Sequence, residues 1–267
     1  MGKTIKIEPK KEFSIIPEGF DPNTKIWRYL DFPEFLAMSH NNNLYFNRIE
    51  RYEDLEEGAI SEADTKKLIG QGVPKEHIDW LNLYVQKNIF VSPWTIRNDE
   101  NHLMWKEYTE GKYGIAILSS LKRLENSIKN FKLKYNIIAK EFSYGKEMNW
   151  AELKEPKELF KYMIFNKNVE FCDDKELRVV INKLPLLELI ETTMININLQ
   201  DRINKLQQQK VDDAISIKIN LKTLVCKIII CPKAPDWFYI LVKNVIQKYG
   251  LDLSVEKSSI KYKDKKP

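Results

Sequence analysis

The chain has 267 residues, 43 Lys and Arg against 38 Asp and Glu, a net charge of +5 and 43% hydrophobic content. That content supplies one sizeable core or two small ones and lies outside the disordered range. No run of about 18 apolar residues occurs, so no membrane span is expected, and a charge this mild does not by itself imply nucleic acid.

The opening MGKTIKIEPKKEF has no apolar stretch and no cleavage-like site, so no secretion signal is expected, and residues 1–19 read as an N-terminal arm. KIWRYL, Lys25 to Leu30, reads as a strand. DFPEFLAMSHN follows as a helix capped by Asp31, then NLYFNRI as a strand. SEADTKKLIG is a helix opened by Ser61 and stopped at Gly70, and PKEHIDWLNLYVQKN a second one with Pro74 in its first turn. IFVSPWTI is a strand that Pro93 demotes to an edge or a bulge. DENHLMWKEYTEG is a helix from Asp99 to Gly111. YGIAILSS is a strand, LKRLENSIKN a helix, FKLKYNIIAKEFSY a strand, PKELFKYMIFNKNVEF a helix and ELRVVINKL a strand. TMININL, AISIKINL and VCKIIICP are further strands. APDWFYILVKNVIQKYG is an amphipathic helix with Trp237, Leu241 and Val245 at i+4 spacing, ended by Gly250. LDLSVEKSSI closes a sheet edge, and residues 261–267 form a basic disordered tail. Strands and helices mixed without a regular βαβ rhythm predict an α+β fold, with residues 20–260 as one domain containing a mixed, split sheet and flanking helices.

Chemistry is narrowed mainly by what is missing. Cys172, Cys226 and Cys231 are too few for a disulfide framework and suit a reducing cytoplasm. His40, His77 and His102 have no metal-ligand spacing, so no metal site is expected. No GxGxxG, GxxxxGK[ST] or GxSxG occurs, which removes the dinucleotide-binding, phosphate-loop and nucleophile-elbow signatures.

Four stretches remain. IWRYL sets Arg28 beside Tyr29; the plain alternative is a surface charge next to a core ring. YEDLEEG is an acidic turn, by default a solvated loop. FVSPWTIRNDENHLMWKEYTEGKYGIAI carries Ser92, Trp94, Trp105 and Tyr108, and the last two share a helix face, which favours core packing. DDKELRVVI starts a strand on Glu176, either an aimed carboxylate or a strand end paired with Arg178.

In that order the pieces resemble DUF2971, a family of bacterial proteins. Its pattern is a Tyr-bearing first strand (Tyr29), an Asp-x-x-Glu-Gly-like turn (Asp54, Glu57, Gly58) and an aromatic Ser-containing strand (FVSPW, Ser92). A Trp-x-x-Tyr helix (Trp105, Tyr108), a Gly-x-Ala-Ile strand (YGIAI) and a Glu-x-Arg strand (ELRVV) complete it. The resemblance covers residues 25 to 260; FNRIERYEDLEEG departs from the Asn-Asp-Pro common in such turns. The family pattern in turn looks like that of ADP-ribosyltransferases, with His or Arg on the first strand, Ser or Tyr in the middle and a late strand opening on the catalytic glutamate. What the resemblance implies is a cytoplasmic, NAD-dependent effector of the toxin or phage-defence type. It would transfer ADP-ribose to protein, nucleic acid or water, the sequence not choosing among them, and be held in check by a restraining partner protein. Glu176 would be catalytic, and Arg28, Tyr29, Ser92 and Trp94 would bind NAD. Asp174 stands where arginine-directed members carry a second glutamate, so arginine is not the favoured acceptor.

The chemistry suits those residue types. Breaking the ribose–nicotinamide bond develops positive charge on the ribose, which a fixed carboxylate stabilises. A guanidinium matches a pyrophosphate as a planar double donor, a hydroxyl suits ribose, and an aromatic face suits nicotinamide. Two other readings compete. A nonenzymatic nucleic-acid- or protein-binding module is suggested by Lys122–Lys140, where six basic residues and one acidic residue are interleaved with Phe131 and Tyr135. A metal-dependent nuclease would have to draw on Asp54, Glu57, Asp173, Asp174 and Glu176.

Overall fold

The structure is a computed structural model, and it describes residues 15–52, 57–109, 112–129, 131, 136–144, 156–167, 169–183 and 199–261. Among the described residues nine strands make one open mixed sheet: β1 (Lys25–Asp31), β2 (Asn43–Arg48), β3 (Ile89–Ile96), β4 (Gly114–Ser120), β5 (Asn136–Glu141), β8 (Glu176–Asn182), β9 (Ala214–Lys218), β10 (Lys227–Ile230) and β11 (Val255–Lys257). Two short strands, β6 (Ser143–Tyr144) and β7 (Asn166–Lys167), pair separately. The helices are α1 (Phe32–Asn41), α2 (Glu62–Gly70), α3 (Lys75–Asn88), α4 (His102–Thr109), α5 (Leu121–Ile128), α6 (Pro156–Phe165), α7 (Leu199–Gln208), α8 (Leu221–Leu224) and α9 (Asp236–Lys248).

β3 is the hub. Along one edge β8 pairs with it from Ile89 to Thr95, and β5 pairs with β8. The other edge is shared by two strands. β1 meets β3 only at Ile26↔Ile96 and Trp27↔Thr95, and β2 meets it only at Asn47↔Val91 and Arg48↔Phe90. Residues 92–94 therefore have no registered partner on that edge, and the sheet splits there. Beyond β1 the sheet continues through β4, β10 and β11, and beyond β2 through β9. Pro93 thus sits in a central strand, contrary to the expectation of an edge. The split supplies a local edge where a residue without an N–H breaks no ladder bond.

Alternation along the strands sorts the core. Ile26, Leu30, Phe90, Trp94, Ile117, Leu177 and Val179 face α1, α5 and α9. On the other side Ile89, Val91 and Val180 pack with α3 and α6, while Trp27, Tyr29 and Ala116 pack on Met104 and Trp105 of α4.

Most predicted elements are present. Asp31 caps α1 in a reciprocal capping box with Glu34, Ser61 caps α2, and Gly250, at φ +64°, follows α9. Five expectations change, the first being that the helix predicted through PKELFKYMIFNKNVEF ends at Phe165, where Asn166–Lys167 turn into β7. α4 begins at His102, its first turn held by Asn101 Oδ1 rather than Asp99. In α9 the buried stripe is Phe238, Val242 and Ile246, one residue beyond the predicted one, and Trp237 and Leu241 are exposed. α7 forms over Leu199–Gln208, where no helix was expected, and residues 193–198 of the TMININL strand lie outside the described residues. The predicted strand through FKLKYNIIAKEFSY is β5 followed by the separate β6, with 132–135 outside the described residues. Residues 1–14 of the arm and 262–267 of the tail also lie outside them; Ile15, at the arm's end, is buried in the core. Among the described residues no helix is long and apolar enough to cross a membrane.

Candidate functional site

The sheet's split decides where Arg28 goes. It alternates with Ile26 and Leu30, which are fully apolar and buried, so its side chain enters the same layer at the point where β1 and β3 part. A guanidinium there needs acceptors. One amino group donates to Ser92 Oγ and the other to the Tyr45 carbonyl at 3.4 Å, while the group stands 5.9 Å over the Trp94 ring. Among the described residues no carboxylate makes an ion pair with it. Burial lowers the Arg28 pKa, an effect opposed chiefly by the charge of Glu34 on α1. Glu34 is itself shifted up by burial, against the pull of Arg28.

The second half of the site is the start of β8. Lys175 takes a left-handed conformation, φ +44°, and its carbonyl accepts from the Ile96 amide at 2.9 Å. The Glu176 amide donates to the Tyr144 hydroxyl at 2.7 Å, and the Glu176 carbonyl accepts from the Phe142 amide at 2.9 Å. The backbone of Glu176 is therefore fixed by two bonds to the 142–144 segment, and that of Lys175 before it by a bond to β3. The Glu176 side chain is fixed too: Oε1 accepts from Arg178 Nε at 2.9 Å, the pairing that i, i+2 spacing on one strand face permits. Arg178 also donates to the Ile164 carbonyl at 3.1 Å and to Glu57 Oε1, and lies 4.2 Å over the Phe142 ring. Burial by itself would lower its pKa, but Glu176 and Glu57 outweigh that and raise it. Glu57, Glu176 and Arg178 are all buried.

The acidic turn is thus not a solvated loop at Glu57, although Asp54 lies outside the described residues. Gly58 explains how the turn comes so close. Its φ is +70°, and a Cβ there would stand 3.0 Å from Ile49, so glycine alone lets the backbone sit on that side chain.

The two halves meet. Arg28 and Glu176 line one cavity, together with Trp27, Tyr29, Glu34, Tyr52, Trp94, Tyr108 and Asp174. Its volume is about 110 Å³. Of the five residues singled out from the sequence, Arg28, Tyr29, Trp94 and Glu176 stand in the cavity wall. Ser92 is fully buried behind it, its hydroxyl engaged by Arg28 rather than by Glu176. Tyr29 is largely core: it meets Trp105 edge-on at 5.0 Å, its hydroxyl accepts from the Asn101 amide at 2.8 Å, and burial pushes its pKa up to about 12. Trp105 is core as expected, but Tyr108 is 39% exposed and lines the cavity. Burial raises the pKa of Tyr108, with Glu176 adding to it, and burial likewise raises that of Tyr52, so both phenols stay protonated donors at neutral pH.

Tyr52 and Asp174 fall in the YEDLEEG and DDKELRVVI stretches, although neither was assigned to the NAD site, and Glu34 lay outside all four stretches, because the sheet's long-range pairings bring it to the cavity. In the basic 122–140 segment, Arg123 is spent on the carbonyls of Lys222, Leu224 and Val225, while Lys122, Lys129 and Lys140 are exposed. Among the described residues no three His, Cys, Asp or Glu side chains are grouped so as to hold a metal ion.

Compared with family models, with curated proteins and with solved structures, the chain matches none.

Proposed function

We propose that the protein is a cytoplasmic ADP-ribosyltransferase-like enzyme that takes NAD as its substrate in the cavity between β1 and β8. The observation that carries this reading is the placement of a guanidinium with no ion-pair partner among the described residues, Arg28, and a backbone-anchored carboxylate, Glu176, in the wall of one aromatic-lined cavity. The resemblance to DUF2971, and through it to ADP-ribosyltransferases, supplies the reaction class.

At about 110 Å³ the space is of the same order as the roughly 150 Å³ apolar cavity that holds a benzene ring. One ring-sized end of the dinucleotide enters, and the remainder lies across the opening. Arg28 binds a phosphate oxygen near the mouth. Glu176 faces the ribose C1′ as its bond to the pyridinium nitrogen breaks. The bonding pair leaves with the ring, which becomes neutral nicotinamide, and the carboxylate stabilises the positive charge left on the sugar. An acceptor oxygen or nitrogen then bonds to C1′ and loses its proton. Arg178 keeps the carboxylate in one orientation, so little reorganisation is needed at the moment of charge development. The acceptor is a protein, a nucleic acid or water, and the biological setting that the resemblance implies is an effector of the toxin or phage-defence type with a restraining partner.

Binding is tested by thermal unfolding with and without NAD. A ligand that binds only the folded state at about 100 times its Kd stabilises by roughly 2.7 kcal/mol, and Arg28→Ala should shrink that shift. Equal shifts in both proteins, or none at millimolar-order NAD, would favour a nonenzymatic binding module.

A further inference from the structure

On the sheet face that carries Trp27, Tyr29 and Ala116, α4 packs through Met104 and Trp105, and Ile260, in the segment after β11, packs on the same cluster. One carboxylate joins the two. Glu100, two residues ahead of α4, accepts from Trp105 Nε1 at 3.0 Å. It also accepts from the Ser258 hydroxyl, from the Ser259 hydroxyl at 2.8 Å and from the Ser259 amide at 2.7 Å. Burial by itself would raise the Glu100 pKa, but these bonds outweigh it and lower it, so the acceptor is a charged carboxylate. The Ser258 amide donates in turn to the Ile230 carbonyl of β10 at 3.0 Å. α4 needs such a hold, because at eight residues it is shorter than a helix that stands alone in water. Its start is otherwise tied to β1 by the Asn101 amide, which donates to the Tyr29 hydroxyl at 2.8 Å. Trp27, Tyr29 and, from α4 itself, Tyr108 line the cavity between β1 and β8. The segment after β11 thus braces, from behind, a wall that the cavity faces.

We infer that residues 258–260 form a strap that closes on Glu100 and through it sets the position of α4, so that the wall bearing Tyr108 is held when the strap is closed and loosens when it opens. The strap's bonds to Glu100 are polar, partly exposed and made across 158 and 159 residues of chain. Bonds of that kind belong to the low-stability end of a structure and open without global unfolding. The coupling is reciprocal: an occupant that leans on α4 from the cavity favours the closed strap. The inference does not depend on NAD being that occupant.

The test is amide hydrogen exchange, read by mass spectrometry, of the wild type and three variants. Ser258→Ala with Ser259→Ala removes the strap's two hydroxyls and leaves the Glu100–Trp105 bond in place, so any loosening of α4 reports the strap itself. Exchange should quicken by about tenfold, as for loss of hydrogen bonds to a charged acceptor, both in residues 258–261 and in α4, with β3 and β8 unchanged. Glu100→Ala should quicken the same two segments further. Lys257→Ala, which removes only the neighbouring pair with Asp236, should leave α4 as it is. Quickening confined to residues 258–261, quickening that spreads to β3 and β8, or an equal effect from Lys257→Ala would overturn the inference. NAD forms a separate arm. If it raises the melting temperature, it should also slow exchange in residues 258–261, and a shift without that protection would overturn the coupling. Absence of any shift with NAD counts against the enzymatic reading alone, since the variants decide the strap without ligand.

Discussion

Arg178 is the residue on which the site's integrity depends. It is 1% exposed and balances two buried carboxylates from segments 121 and 2 residues away. Replacing it with Met would leave Glu57 and Glu176 as uncompensated buried charges, at a cost of about 3–5 kcal/mol. The check is a lower midpoint in urea unfolding at an unchanged slope. Glu176→Gln should cost far less, because Arg178 keeps Glu57. Tyr29 makes a pH prediction. Its pKa rises on folding from 10.0 to about 12, so the stability it contributes is fully present below pH 10 and is lost as pH rises through 12. Tyr29→Phe should therefore be least stable relative to wild type at neutral pH, and the gap should narrow between pH 10 and 12 in alkaline unfolding. A gap constant across that range would contradict the assignment. At this scale the Glu176–Arg178 pairing was legible, since i, i+2 residues share a strand face. Glu57 was not, because an acidic turn reads as solvated unless its partner across the fold is known.

At the scale of elements, the fit of α4 against β4 sets where Tyr108 stands. Gly114 opens β4, and a Cβ added there would run into the Thr109 side chain at the end of α4. Gly114→Ala should cost about 1–3 kcal/mol by overpacking, measured by thermal unfolding, and should weaken NAD binding through displacement of Tyr108. A neutral substitution would mean that α4 shifts freely and does not hold that wall. The helices and strands themselves were largely readable. Asp31 and Ser61 announce their caps, and alternation marks β9. The phase of α9 was not readable: Trp237, Leu241 and Val245 are as apolar as Phe238, Val242 and Ile246, so periodicity gives two equal stripes and only the sheet beneath chooses between them. Pro93 misled for a related reason. Its rule concerns a missing ladder bond, and the split that removes the bond is a property of three strands rather than one.

At the scale of the molecule, the sheet order is what makes the site. β3 brings β1 and β8 to its two edges, so residues 28 and 176, far apart in the chain, reach one cavity. The mixed sheet with flanking helices followed from the order of elements, but pairings such as β2 with β9 follow from no local signal, since nothing short of the assembled core specifies them. The most direct measurement is release of free nicotinamide from NAD, together with transfer of labelled ADP-ribose to a cell extract, by wild type and by Glu176→Gln. The account predicts turnover by the wild type and a loss of about 10²-fold or more in the variant, as for removal of a principal electrostatic stabiliser, with the fold and most of the NAD affinity kept. Equal turnover in the two proteins, or no nicotinamide released by the wild type, would contradict it.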